Sequence, residues 1–468
     1  MIGKRFGSLV MCGLLLALGA CHRSGSVPAP PGAPNMLIIV ADDLTWSDLG
    51  ATGSPDAKTP NIDRLAREGM QLQGMFSPAP MCSPARHALY TGLYPVRSGG
   101  YPNHSQVQKG THSLFTYLRD AGYRVGLLGK VHVHPKSSYP FERIGKDADD
   151  LRAFERFVSK EPTRPWLVVF ASHDPHAPWN RGPKGLYDPA KLTVPPYLHD
   201  TAVTRGALAA YFAEISQLDA QVGELLRILS ATGQEQDTIV LFVSEQGSSF
   251  PFGGKWLLYD TGIRSAAFVR WPGKVRPGSK SKALMQYVDV APTLLAAAGI
   301  DTAGIDTGPP DADGQRGFDG RSFLEVLLGR SDHHRDYVFA VQTTVGMNDY
   351  KDPYPVRAAR DDRYKLIRNL APQNTFGTGD LLQSDVWLSW QLDAASRPAL
   401  SARLESLSHR PAEELYDLQA DPFELVNLAA HQDLTATRDR LRGELDAWMR
   451  QQGDRGLSTE MAAESHQR

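Results

Sequence analysis

The chain has 468 residues, of which 41% are hydrophobic and 22% are charged, and its formal net charge is -2. This composition is typical of a globular protein and excludes disordered, collagen-like and multi-span membrane chains. The near balance of 50 basic and 52 acidic residues predicts no nucleic-acid partner and no general attraction to an anionic membrane. An anionic ligand must therefore be held by local charges.

The N-terminus has the pattern of an export signal. Lys4 and Arg5 precede an apolar run over residues 9–17, which is too short for a comfortable membrane span. The run ends in Leu-Gly-Ala-Cys at 18–21, which resembles the lipobox of bacterial lipoproteins, where the cysteine is lipidated. Membrane association is then expected only through this N-terminal lipid.

These patterns divide the N-terminal region into two parts. We expect residues 1–21 to be a lipoprotein signal peptide with its lipobox, and residues 22–35, rich in Pro, Ala and Gly, to be a flexible tether. The protein is then exported and anchored at Cys21, in the periplasm or at the cell surface. An ordinary secretory signal cleaved near Ala20 is the alternative. In either case Cys82 is the only cysteine of the main body, which excludes a disulfide framework.

The main body alternates apolar, β-branched segments with helical segments, which is typical of an α/β fold with a mostly parallel sheet. The predicted strands lie at 36–40, 123–128, 166–170 and 238–243. The predicted helices lie at 62–68, 114–121, 208–231, 290–298 and 322–328. Two further strands at 356–360 and 364–368, expected to be antiparallel, and a helix at 435–451 complete the predicted elements.

The same elements predict the domain organisation. A main α/β domain is expected over 36–330 and a smaller antiparallel-sheet subdomain over 331–452. Because chain ends are often poorly ordered, we expect residues 453–468 to form a disordered tail.

Polar residues follow each of the first four predicted strands. In chain order they are Asp42 and Asp43, then Lys130 and His132, then His173, and finally Glu245 and Gln246. In open α/β sheets, ligands bind beyond the carboxyl ends of the strands. The sequence therefore predicts a polar site along one edge of the sheet.

Cys82 lies in a motif of its own. The residues at 82–86 read Cys-Ser-Pro-Ala-Arg, and Thr-Gly follows at 91–92. Pro84 suits the first position of a helix, and Ser83 is the expected cap. The helix N-terminus would then favour an anion near Cys82, and Arg86 would add a charge-assisted hydrogen bond.

Cys-x-Pro-x-Arg followed by Thr-Gly resembles the signature of type I sulfatases, in which the cysteine is converted to formylglycine. Five further blocks occur in the family order, at 39–44, 59–66, 129–132, 173–176 and 414–418. The resemblance implies an alkaline-phosphatase-like fold, with a mostly parallel sheet sandwiched by helices, and makes 36–330 the catalytic domain. It also implies a sulfatase that hydrolyses sulfate esters or sulfamates of carbohydrates.

The resemblance also implies a bound divalent cation. Its ligands would be Cys82, as formylglycine, with the two pairs that follow the first and fourth strands: Asp42, Asp43, Glu245 and Gln246. The four strand-end residues offer oxygen donors only, which favours Ca²⁺ over Mg²⁺. At the pair that follows the fourth strand, the family usually has Asp followed by Asn or His. Glu245-Gln246 therefore departs from the pattern by one methylene in each side chain.

The remaining roles are likewise implied by the resemblance. Formylglycine at position 82, made by a formylglycine-generating or equivalent maturation enzyme, would be the nucleophile. Arg86, Lys130 and Lys255 would bind the anion, His132 would accept a proton, and His173 would act on the leaving group. His134 and His176 are expected only to support structure or substrate contacts.

The resemblance implies that the substrate is a sulfated carbohydrate. Within the family, the sequences at 173–176 and 248–252 resemble those of the heparan N-sulfatase branch. Trp179, Trp256 and Tyr259 are candidates for stacking on a sugar. Two other functions stay open: a phosphonate or phosphodiester hydrolase of the same superfold, and a non-catalytic lipoprotein that binds sulfated glycans.

The lipobox generates the first testable prediction. The mature protein should fractionate with membranes, because Cys21 would carry its only lipid anchor. The Cys21→Ala variant, if its signal peptide is still cleaved, should become soluble. Fractionation of the native host followed by immunoblotting measures this. Recovery of the unaltered protein entirely in the soluble periplasmic fraction would contradict it.

Overall fold

A computed structural model describes residues 32–350 and 352–467. The predicted signal peptide and lipobox, and most of the predicted tether, lie outside these residues. Within the described part of the chain, no helix combines the length and the apolar character needed to cross a bilayer.

The elements are as follows. The strands are β1 (Asn35–Ala41), β2 (Met70–Leu72), β3 (Met75–Phe76), β4 (Arg124–Gly129), β5 (Glu142–Gly145), β6 (Trp166–Ala171), β7 (Thr238–Ser244), β8 (Ala267–Arg270), β9 (Ser279–Ser281), β10 (Met285–Gln286), β11 (Val338–Gln342), β12 (Val356–Arg360), β13 (Tyr364–Asn369) and β14 (Glu413–Asp417). The α-helices are α1 (Pro60–Glu68), α2 (Cys82–Thr91), α3 (Pro95–Ser98), α4 (Leu114–Asp120), α5 (Leu151–Lys160), α6 (Ala202–Ala231), α7 (Asp260–Ile263), α8 (Val290–Ala297), α9 (Leu324–Leu327), α10 (Gly379–Leu382), α11 (Asp385–Ala394), α12 (Pro398–Ser408), α13 (Thr435–Gln451) and α14 (Leu457–Met461).

An eight-stranded sheet has the order β5-β4-β6-β1-β7-β8-β2-β9. The first five strands are parallel, whereas β8 is antiparallel to both of its neighbours. All seven residues of β1 are buried, which explains the unbroken apolar run from Met36 to Ala41, since a central parallel strand is covered on both faces. The predicted α/β fold class is confirmed.

Successive residues of β1 enter two separate cores. Leu37 and Ile39 pack in a cluster with α1, α5 and α6, whereas Ile38 and Val40 pack in a cluster with α2, α4 and α8. This alternation follows from the two-residue period of a strand. Helices therefore cover both faces of the sheet and leave the carboxyl ends of its strands to form the site.

A second sheet has the order β11-β12-β13-β14, and all of its pairs are antiparallel. Leu366 and Leu415 of this sheet pack with Leu441 of α13. The predicted strands at 356–360 and 364–368 and the predicted helix at 435–451 are confirmed, and β11 and β14 are additions. The domain boundaries at 330 and 452 stay predictions.

Helix α6 begins earlier than predicted, at Ala202 rather than residue 208. Thr201 is its N-cap, and its hydroxyl accepts a hydrogen bond from the Thr204 amide at 3.1 Å. The apolar periodicity that predicted the helix begins only at Leu208. The capping residue therefore extends the helix beyond its apolar stripe.

The prediction of a disordered tail at 453–468 is wrong for the described residues, which include α14. Asp454 forms an ion pair with Arg357, with Oδ2 and Nε 2.5 Å apart and both side chains fully buried. Further along, the Glu460 carboxylate accepts a hydrogen bond from the Thr344 amide at 2.8 Å. These contacts join residues about a hundred positions apart in the chain, so no local sequence pattern predicts them.

The buried pair generates a stability prediction. Asp454→Ala should lower the free energy of unfolding by about 3–5 kcal/mol, because Arg357 would remain as an uncompensated buried charge. Equilibrium urea denaturation measures this. Glu224→Ala is the control, since Glu224 pairs with Arg227 on the exposed surface of α6, and it should change stability by less than about 1 kcal/mol. Equal, small effects of the two substitutions would contradict the prediction.

Candidate active site

The carboxyl ends of the parallel strands bring most of the predicted polar residues together. Asp42 and Asp43 follow β1, Lys130 follows β4, and Glu245 and Gln246 follow β7. Strands β6 and β7 flank β1, and β4 lies beside β6. Asp43 has φ 59°, a left-handed conformation that is uncommon outside glycine and that turns the chain immediately after the strand.

Helix α2 carries Cys82 into this group. The Cys82 sulfur lies 3.8 Å from Asp42 Oδ1 and 3.1 Å from Gln246 Nε2. The helix begins at Cys82 itself, two residues before Pro84, and Met81 is its N-cap. Ser83 does not cap the helix as expected, because its hydroxyl donates to the backbone oxygen of His132 at 3.0 Å.

Each carboxylate of the group has a cationic partner. Lys130 Nζ lies 2.5 Å from Asp42 Oδ2, and Lys255 Nζ lies 2.9 Å from Asp43 Oδ2. Arg86, which is fully buried, pairs with Glu245 Oε2 and lies 3.9 Å from Asp42 Oδ2. We call these six side chains the charge cluster: Asp42, Asp43, Arg86, Lys130, Glu245 and Lys255. The formal charges of the cluster, three negative and three positive, cancel.

The same contacts shift the pKa values. Burial opposes ionisation of Asp42, but Lys130 and its other cationic neighbours outweigh burial and hold the pKa of Asp42 well below its usual value. The pKa of Lys130 and of Lys255 is raised, since the neighbouring aspartates outweigh burial. Burial, reinforced by the charge of Glu245, raises the pKa of the Cys82 thiol to about 12.

The donor atoms fit a divalent cation. Asp42, Asp43, Cys82 and His176 each offer a ligand atom, and these atoms lie within 4.8 Å of one another. Within the described residues, Glu245 Oε1 and Gln246 Oε1 are buried without a hydrogen-bond partner. Buried oxygens without partners are costly, and a hard cation that prefers oxygen ligands would satisfy them. His176 was not predicted to be part of this group.

The histidines near the cluster lie in three different environments. His132 shares a 2.8 Å hydrogen bond with His104, and burial together with the charge of Lys130 lowers the pKa of His132 below its usual value. His173 is half-buried after β6, and its pKa is lowered by burial. His176 rather than His173 contacts the cluster, with Lys255 Nζ 3.0 Å from its Nε2.

A cavity of about 890 Å³ opens beside Cys82. Its lining includes Lys130, His132, Lys255 and His176. Arg86 of the charge cluster is fully buried and is not part of this lining. Of the aromatic candidates, Trp256 lines the cavity, whereas Trp179 packs against other aromatic rings and the Tyr259 hydroxyl donates to Glu414.

Sequence reasoning gave one histidine of the site only a supporting role and missed another. His176 stands in the block at 173–176, so its signal was present but was assigned to a supporting role. His104 lies in a loop after α3, with φ 57°, and belongs to no motif. Only its contact with His132 reveals it.

Comparisons with known proteins agree with this geometry. The sequence model described as Sulfatase matches residues 34–146 and 136–300, and that described as N-sulphoglucosamine sulphohydrolase, C-terminal, matches residues 249–387. The chain is 29% identical to an ulvan-active sulfatase of Formosa agariphila over 90% of this chain and 81% of that protein. It is 28% identical to the N-sulphoglucosamine sulphohydrolase of Homo sapiens, over 93% and 92% of the two chains.

A solved structure of a protein in complex with its substrate D-glucosamine-2-N,6-O-disulfate has the same fold. The TM-score is 0.67 at 18% identity, and the match covers 90% of this chain and 99% of that one. The four-stranded antiparallel sheet beside the mostly parallel one fits an alkaline-phosphatase-like architecture. The chain therefore belongs to the Sulfatase family and is a sulfuric ester hydrolase.

Proposed function

We propose that the protein removes sulfate from a sulfated carbohydrate, by means of formylglycine formed from Cys82 and a bound calcium ion. The observation that carries this proposal is the position of Cys82 at the start of α2. There it contacts Asp42 and Gln246 and faces a cavity whose wall includes Lys130 and Lys255.

A carbohydrate substrate is supported by the relatives and by the cavity. The human relative is named for sulphoglucosamine, and the similar solved protein binds a disulfated glucosamine as its substrate. The cavity, at about 890 Å³, is in the range of sites for small ligands. Trp256 in its wall offers a ring face for a sugar.

Asp42, Asp43, Gln246 and position 82 are the proposed ligands of the calcium ion, with Glu245 Oε1 as a further donor. The ion and the aldehyde together would supply an activated oxygen nucleophile and polarise the sulfate. Calcium suits the longer Glu245-Gln246 pair better than magnesium does, because its coordination is more flexible.

The side chains of this protein then have separate tasks. Lys130 and Lys255 offer positive charge to the sulfate oxygens, and Arg86 holds Glu245 in place. His132 is the proposed proton acceptor through Nδ1, which is buried without a hydrogen-bond partner in the described structure, and the hydrogen bond between its Nε2 and His104 orients the ring. His176, beside Lys255 in the cavity wall, is better placed than His173 to meet the leaving group.

One observation favours a second candidate. A phosphonate or phosphodiester hydrolase of the same superfold would bring a histidine to the metal, and His176 lies 3.6 Å from Asp43 Oδ2. Assaying matched sulfate and phosphonate esters separates the two functions. A higher kcat/KM for the phosphonate would replace the sulfatase proposal.

Two parts of the proposal rest on sequence patterns alone. A maturation enzyme that converts Cys82 is proposed from the Cys-x-Pro-x-Arg motif. Export with a lipid anchor at Cys21 is proposed from residues 1–21, which lie outside the described part of the chain.

The nucleophile is tested at Cys82. Mass spectrometry of the peptide that contains Cys82, from protein made in the native host, should find an aldehyde in place of the thiol. Cys82→Ala should reduce sulfate release to background with an unchanged circular dichroism spectrum, because only the reacting group is lost. An unmodified thiol in the native protein would favour the non-catalytic glycan-binding alternative, and sulfate release by Cys82→Ala would refute the proposed nucleophile.

The charge cluster predicts that calcium and sulfate bind together. Its three carboxylates and three cations cancel, so either ion alone would add net charge to a buried site, whereas the two together neutralise each other. We expect saturating sulfate to tighten calcium binding by about tenfold. Titration calorimetry of chelator-treated protein at buffered free calcium measures this, with chloride at equal ionic strength as the control. Unchanged or weaker calcium binding in sulfate would contradict the prediction.

Gln246→Glu tests the proposed role of Gln246 as a ligand of the metal ion. Gln246 Nε2 donates to Asp43 Oδ1 at 2.6 Å, and a carboxylate there would repel Asp43. We expect a lower Tm in chelator, partial recovery with calcium, and kcat/KM for a sulfate ester lower by about tenfold. The exposed control Gln383→Glu should leave all three unchanged. An unchanged rate for Gln246→Glu with the metal bound would exclude Gln246 as a ligand.

A further inference from the structure

The cavity contains a second group of positive charges, apart from the charge cluster. Lys136, Arg143 and Lys146 line it together with Lys130 and Lys255. Within residues 32–350 and 352–467, the first three have no ion-pair partner, whereas Lys130 and Lys255 are paired with aspartates. We call Lys136, Arg143 and Lys146 the outer cations.

Acidic residues do not balance the outer cations. Asp380 is the one carboxylate that the described residues contribute to the cavity lining. It accepts hydrogen bonds from Asn348 Nδ2, at 3.3 and 3.1 Å to its two oxygens. The outer cations therefore leave the cavity with positive charge that the folded chain does not neutralise, which favours a ligand with more than one negative group.

Arg143 is the best positioned of the three. Its Nε donates to the backbone oxygen of Gly145 at 2.9 Å, and its Nη2 donates to that of Gly129 at 2.8 Å. Gly129 is the last residue of β4 and directly precedes Lys130. The guanidinium is therefore hydrogen-bonded to the end of the strand that also carries a proposed sulfate-binding lysine. These backbone oxygens orient the guanidinium, but they carry no formal charge and do not neutralise it.

The remaining hydrogen-bond donors of Arg143 support the same conclusion. Among the described residues, its Nη1 has no hydrogen-bond partner. A guanidinium presents its N–H groups in a rigid planar fork that matches an oxyanion. By contrast, Arg97 and Arg335 direct their guanidinium groups to Asp319 and Asp289. Arg143 thus retains both charge and donors for a ligand.

We propose that Arg143, with Lys136 and Lys146 in the same cavity wall, binds a second anionic group of the substrate, a sulfate or carboxylate other than the sulfate that is hydrolysed. This inference rests on the proposed function for its substrate class. It makes the protein selective for saccharides that carry at least two negative groups, because the inner lysines hold one and the outer cations hold the other.

The test is a binding measurement that needs no turnover. Full-length Cys82→Ala is titrated calorimetrically with D-glucosamine 2-N-sulfate, D-glucosamine 2-N,6-O-disulfate, and 2-N-sulfated glucosamine linked to a uronic acid. We expect at least one doubly charged probe to bind about tenfold more tightly than the monosulfate. Which of the two is preferred distinguishes a sulfate from a carboxylate as the second group.

Arg143→Gln in the same background should reduce that preference to about twofold or less, since it removes the charge and the fork. Arg152→Gln is the matched control: Arg152 lies exposed on α5, is not part of the cavity lining and has no ion pair among the described residues. It should keep the full preference. Arg143→Lys should give an intermediate value, and it provides a second variant if Arg143→Gln is poorly folded.

The outcomes separate this inference from the proposed function. No preference for either doubly charged probe, or the same preference in Arg143→Gln as in Arg152→Gln, overturns the inference. Raising the salt concentration should weaken the preference of the parent protein but not the residual preference of Arg143→Gln. A preference that depends on Arg143 in a protein whose Cys82 form releases no sulfate supports the outer cations while refuting the hydrolysis.

Discussion

At the carboxyl edge of the sheet, Lys130 and Lys255 pair with the two aspartates that follow β1, and Arg86 pairs with Glu245, which follows β7. A largely buried charge is costly unless it is paired. These contacts therefore fix the relative positions of the elements that carry the paired side chains. They tie the loop after β4 to β1, the segment after β7 to β1, and α2 to β7. The position of Cys82 follows from the last of these ties.

The departure of Glu245 from the family pattern is compatible with this arrangement. Its longer side chain reaches Arg86 with one oxygen and leaves the other buried without a partner in the described structure. The residue thus neutralises Arg86 and still offers a donor to a cation. Gln246 contacts both Asp43 and Cys82, so the exchange of residue types retains polar atoms at the centre of the site.

The cavity also depends on the C-terminal part of the chain. Gly346, Asn348 and Asp380 contribute to its lining, and the chain end supports the neighbouring loops. The Tyr101 hydroxyl donates to the Thr459 backbone oxygen at 3.0 Å, and Gln467 Nε2 donates to that of Asn103 at 3.3 Å. Asn103 and His104 lie in the cavity wall, so the ordered tail connects global stability to the shape of the site.

The sequence by itself determined the parallel strands β1, β4, β6 and β7, several of the helices and the edge where the site lies, since apolar periodicity is local and parallel strands share one carboxyl edge. It also placed Asp42, Asp43, Glu245 and Gln246 at that edge. Tertiary structure alone decided which charges pair, that His104 and His176 join the site, that Arg143 faces the cavity and that the tail is ordered. These outcomes depend on contacts between residues far apart in the chain, whose side-chain geometry no local pattern encodes.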